Sequence, residues 1–181
     1  TAAGYSGFVP IGITGNTTDG YKAAVFTGSF NGNGHVINNL DVCASQIDSS
    51  DDVYAGLFAE NAGNIYSLSV ISSDNTTSAS LTSSSDYKLY ATYGSGIFVS
   101  SVSSNLNEGL ITGKNIQGAV ISNCASDGQI FGTSLELKAN AGGIAGYNAG
   151  IINSCENSSL VQIDFTSYKD ATQSGNKLDE V

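Results

Sequence analysis

The chain has 181 residues, the length of one domain, and a formal net charge of -10 from 16 Asp/Glu against 6 Lys/Arg. All six basic residues are Lys, so the concentrated Lys/Arg needed to bind nucleic acid or a membrane surface is missing. Ser (27), Gly (22), Asn (17) and Thr (13) dominate, yet 9 Tyr, 7 Phe and many Ile and Val are spread among them, which argues against disorder and for an all-β chain.

Thr1, not Met, stands first; a removed secretory signal is the simplest expectation, and with it an extracellular or cell-surface location. Three Asn-x-Ser/Thr sites, at Asn16, Asn75 and Asn157, are candidate glycan acceptors. No apolar run reaches the length of a membrane-spanning helix, so no membrane insertion is expected.

Four segments then repeat one another. They are Gly34-His35-Val36-Ile37-Asn38-Asn39-Leu40, Gly63-Asn64-Ile65-Tyr66-Ser67-Leu68, Gly118-Ala119-Val120-Ile121-Ser122-Asn123-Cys124 and Gly150-Ile151-Ile152-Asn153-Ser154-Cys155. Their anchors Ile37, Ile65, Ile121 and Ile152 are spaced by 28, 56 and 31 residues. The middle gap fits two units, or one unit with a long insertion. A second element recurs at Ala55-Gly56-Leu57-Phe58-Ala59, Ser95-Gly96-Ile97-Phe98-Val99 and Gly142-Gly143-Ile144-Ala145-Gly146.

Units this small cannot bury their own apolar side chains, so stacking in register is the expected solution. The four isoleucines then form an interior ladder. Asn39, Ser67, Asn123 and Ser154 fall between apolar anchors three residues apart, which strict alternation would put on opposite faces. A bend at each polar residue returns both anchors to the inside. Stacked Asn and Ser there would hydrogen-bond from coil to coil.

At these residues the sequence resembles the GLUG repeat of bacterial surface proteins. Residues 141–155 and 55–65 carry the likeness. The block Phe8-Val9-Pro10-Ile11-Gly12, followed by residues 26–37, resembles the segment that opens such arrays. The resemblance implies a right-handed parallel β-helix, often an adhesin. At about 28 residues per coil it implies roughly six coils with irregular insertions, a rod about 30 Å long. Residues 1–163 would form the repeat domain, and 164–181 a non-repeating cap, added strand or linker. The Ser-rich stretch 71–87 and residues 100–118 depart from the pattern.

Candidate chemistry is sparse. Asp48, Asp51 and Asp52 could offer oxygen ligands to calcium, but the glycine and glutamate of the twelve-residue calcium loop are missing and a solvated loop fits better. The single histidine, His35, reads as structural. Cys43, Cys124 and Cys155 give an odd count; Cys124 and Cys155 share a repeat position, as two small core residues or as a disulfide. No cofactor is expected. The reading is a non-enzymatic module for adhesion or spacing, with a surface protein, a glycan or other copies of itself end to end as partner. The alternatives are a filament subunit joined through open ends or its C-terminal tail, and a carbohydrate-active enzyme.

Overall fold

The computed structural model describes residues 5–16, 20–45, 52–71, 96–102, 105–134 and 139–165. Among the described residues there is no helix, and the strands pair mostly in parallel. Parallel partners require the chain to travel away and return between them.

The opening region holds β1 (Tyr5–Gly7) and an antiparallel hairpin of β2 (Ile13–Asn16) and β3 (Gly20–Ala23). A first pass runs through β4 (Ser29–Asn38) and β5 (Val42–Ser45). The second contains β6 (Val53–Ala55), β7 (Phe58–Asn61), β8 (Asn64–Ile71) and β9 (Ile97–Val102). The third contains β10 (Leu106–Gly109), β11 (Thr112–Asn115), β12 (Val120–Ser122), β13 (Ala125–Asp127) and β14 (Gln129–Ser134). The fourth contains β15 (Ala139–Gly142), β16 (Ala145–Asn148), β17 (Ile151–Asn153), β18 (Glu156–Asn157) and β19 (Leu160–Phe165).

Each of the last three passes visits the same sheets in the same order. The first sheet is β6-β10-β15 and the second β7-β11-β16. In the third, β4 lies on β8, β8 on β12 and β13, and these on β17 and β18. The fourth is β5-β9-β14-β19, with β1 antiparallel on the far side of β5.

Ile65, Ile121 and Ile152 occupy consecutive rungs, as expected. Ile37 does not belong to their row. The rung beside Ile65 is Phe30, and Ile37 pairs with Val70. The cause lies in residues 31–34, where the register slips and Asn33 adds a corner at φ 50°. Ile65 and Ile121 are direct partners, so the 56-residue gap is one pass. Four passes, not six, are present among the described residues.

Two further expectations are corrected. Ile97-Phe98-Val99 pairs with Val42-Cys43-Ala44, not with the Leu57-Phe58 element. The partner of Leu57-Phe58 is Leu110-Ile111-Thr112, so residues 105–118 carry regular strands and interrupt nothing. The last strand runs to Phe165, opposite Ser134, past the expected boundary at 163. The remainder of the proposed C-terminal segment lies outside the described residues, as do residues 72–95.

The expected bends are present. Ser67, Asn123 and Ser154 have φ of 53°, 50° and 53°, a left-handed backbone that reverses the inward direction once. Ile65 and Leu68, and likewise Ile121 and Cys124, are all buried as a result. At the first pass the rings of Phe26 and Phe30 pack on Phe58, with centroids 4.9 and 5.4 Å away.

The ladder fixes how cost should vary along the stack. Ile121 is fully buried between two rungs, whereas Ile152 is 37% exposed on the last one. Ile121→Ala should cost about 2–5 kcal/mol in urea unfolding, and Ile152→Ala clearly less. Equal losses would contradict this placement.

Candidate functional site

The polar side chains fall into rows that follow the strand register. In the first row Asn61 Nδ2 donates to Asn115 Oδ1 at 2.9 Å, and Asn115 Nδ2 donates to Asn148 Oδ1 at 2.8 Å. The three residues are register partners on β7, β11 and β16. Asn61 and Asn115 are buried, while Asn148 is exposed on the last pass. The row also ties its own turns, since Gly63 N donates to Asn61 Oδ1 and Gly150 N to Asn148 Oδ1. A second amide pair joins neighbouring passes, with Asn140 Nδ2 donating to Asn107 Oδ1 at 3.0 Å. Each passage of an amide bond between passes satisfies groups that burial would otherwise penalise. The amide rows seen here run through Asn61 and Asn107, which the sequence reading did not single out.

Outside the asparagine row lies a small mixed cluster. Lys114 Nζ is 3.5 Å from Glu60 Oε1 and sits 5.8 and 6.0 Å from the ring centres of Tyr54 and Tyr147. Register produces the cluster, because Lys114 pairs with Glu60 on one side and Tyr147 on the other. Tyr54 is buried and Tyr147 is exposed. An exposed ring beside an amine and a carboxylate can stack on an apolar face and bond hydroxyl groups. This is the candidate recognition patch.

The third row is sulfur. Cys124 and Cys155 stand next to the Ala125 and Glu156 pair, one pass apart. In the structure no disulfide joins them. Each sulfur turns back onto its own corner, Cys124 to Ser122 O at 3.2 Å and Cys155 to Asn153 O at 3.3 Å. Burial pushes the Cys124 thiol ionisation up. Cys43 is buried in β5, where its thiol donates to Asp41 Oδ1 at 3.3 Å.

The remaining expected site residues are scattered. Asp48 and Asp51 lie outside the described residues. Asp52 accepts from Asn105 Nδ2 at 2.6 Å and from Tyr54 Oη at 3.3 Å, which fastens the start of β6 to the third pass. Among the described residues no group of three or more His, Cys, Asp or Glu could hold a metal ion. His35 is exposed on β4. Asn75 lies outside the described residues, and Asn16 ends β2. Asn157 faces the end of the interior: its Oδ1 accepts from Ser126 Oγ and Ser159 N, both at 3.0 Å, and the amide rests against Gly143. It continues the row of Val70 and Ser126 and is exposed on the last pass.

One interior group was not anticipated. Glu108 is fully buried, and among the described residues neither carboxylate oxygen has a hydrogen-bond partner. Desolvation raises its ionisation well above the usual glutamate range. In sequence it looks like one acid among sixteen; only its register with Ala55 and Ala141 reveals it as inward.

No protein-family model matches the chain, and neither does any curated protein or solved structure.

Two measurements check these rows. Asn115→Ala removes both central amide bonds and should cost about 2 kcal/mol in chemical denaturation, against a few tenths for Asn148→Ala at the exposed end. A thiol reagent at neutral pH should label Cys155 well before Cys124, because burial and a raised ionisation both slow Cys124. Faster labelling of Cys124 would contradict the geometry.

Proposed function

We propose that the chain is a right-handed parallel β-helix serving outside the cell as a non-enzymatic module for adhesion or structural spacing. The observation that carries the reading is the common register of successive passes. Four parallel sheets keep one rung order from β6 to β19, which builds stacked walls with side chains at fixed intervals. Parallel crossovers within one sheet are right-handed in nearly all known cases, which supports the hand. The likeness of residues 55–65 and 141–155 to GLUG repeats favours the same role by analogy.

A wall of fixed spacing suits recognition of an extended partner. Tyr147, with Lys114 and Glu60 beside it, is the part of the wall whose chemistry fits a glycan or a protein surface. The module needs no bound group for this role. The Asn61, Asn115 and Asn148 row holds neighbouring passes together.

The second reading is a filament subunit. It is favoured by the last pass, where Ile151, Ile152 and Leu160 are exposed on strands that have no further partner among the described residues. Such edges invite pairing with another chain.

Electron microscopy and a glycan array separate the readings. The module predicts single short rods and a binding signal that Tyr147→Ala lowers about tenfold, the loss of one ring contact of about 1.4 kcal/mol. Long fibres of uniform width, with no array signal, would replace it with the filament.

A further inference from the structure

Glu108 lies on the inner side of β10. The register sets it between Ala55 and Ala141, two of the smallest side chains available. Leu106, two residues earlier on the same side, is fully buried in the apolar core. Across the interior stands Gly132 of β14. A methyl group at that position would collide with Glu108 Oε1 and with Ile163 Cδ1. Gly132 itself is flanked in register by Val99 and Ile163. The third pass thus has a glutamate on one wall and a glycine on the facing wall, where its neighbours have alanine facing a branched aliphatic residue. The pair conserves interior volume while placing a carboxyl group in it.

Among the described residues no charged group answers that carboxyl. The strands packed on β10 are β6, β9, β11, β14, β15 and β16. Their titratable side chains are Tyr54, Lys114 and Tyr147. Tyr54 alternates with Ala55 and so occupies the opposite side of its sheet. Lys114 lies over the rings of Tyr54 and Tyr147 and is paired with Glu60. The carboxyl is left among Ala, Gly and Ile with both oxygens unbonded. A carboxylate in such a place is far costlier than a carboxylic acid.

We infer that Glu108 is a pH-sensitive lock, a side chain that must carry a proton for the middle of the stack to close. The proton sits on a carboxyl oxygen in the folded state and exchanges with water once the pass opens. Folding therefore takes up one proton between the ordinary glutamate range and the higher ionisation imposed by the interior. The stability this contributes is complete below the ordinary range. It is lost as pH rises through the folded value. The lock holds in acid and yields toward alkaline pH. The strain of ionisation falls between β10 and β14, at the third of four passes, so it acts on the stack from within and not from a fraying end.

The test is urea unfolding of the full chain and of Glu108→Gln from about pH 4 to about pH 9, spanning the carboxylate range and beyond. Gln keeps the shape and cannot ionise. The wild-type unfolding constant should rise about tenfold per pH unit relative to Glu108→Gln within the proton-uptake interval. The two proteins should be of similar stability at the acid end. If Glu108→Gln does not fold, carbon-13 NMR of the wild-type glutamate carboxyls decides alone: one of them should stay protonated well above the ordinary range. A constant ratio between the two proteins at all pH values, or five glutamates that all titrate normally, would overturn the inference.

Discussion

Phe30, Ile65, Ile121 and Ile152 lie one strand spacing apart, and the backbone bonds that set this spacing decide which side chains meet. In-register parallel pairing forces every position of a pass to stand on its counterpart in the next. An apolar position must then be apolar on each pass, or the row carries a polar atom into the core. The chain obeys this along the isoleucine row, where Ile65 and Ile121 are fully buried. It turns the same constraint to use along the asparagine row. There one residue type satisfies itself, because an amide offers a donor on one side and an acceptor on the other. Hydrogen bonds of this kind hold neighbouring passes at fixed registers even where the sequence between them is long, as between Asn61 and Asn115.

The interior becomes more polar along the stack. Val70 is followed by Ser126 and then, exposed on the last pass, by Asn157, and the place of Leu68 is taken by Cys124 and Cys155. Ser126 and Asn157 answer each other with a hydrogen bond. Glu108 differs in kind, since its neighbours in register are alanines and the space it fills is borrowed from Gly132. Such a group adds nothing to cohesion that a leucine would not add better, which makes its protonation state its distinguishing property.

Much of this was legible in the sequence because stacking repeats the same demand. Ile65, Ile121 and Ile152 with their following corner residues gave the row and the bends directly. At the first pass Gly34-His35-Val36-Ile37 imitates the motif, while the residue on the rung is Phe30, four positions before the glycine. Asn31-Gly32-Asn33-Gly34 absorbs the difference as an extra corner, and short-range likeness cannot register an added corner. The asparagine row hid for a similar reason. Asn61 and Asn148 precede Gly63 and Gly150 by two residues, but Asn115 precedes Gly118 by three. Glu108 had no sequence signal, because nothing in Leu106-Asn107-Glu108-Gly109 tells which of two adjacent polar residues turns inward until the partner strands are known.

The account stands on parallel, in-register pairing of the passes, and the row of asparagine amides reports on it from inside the molecule. Nuclear Overhauser contacts between the side-chain amides of Asn61 and Asn115, and of Asn115 and Asn148, measure it most directly. Contacts within both pairs, with none between Asn61 and Asn148, are predicted. Close Hα–Hα contacts between β7 and β11, the mark of antiparallel partners, would contradict the register and the stacked architecture with it.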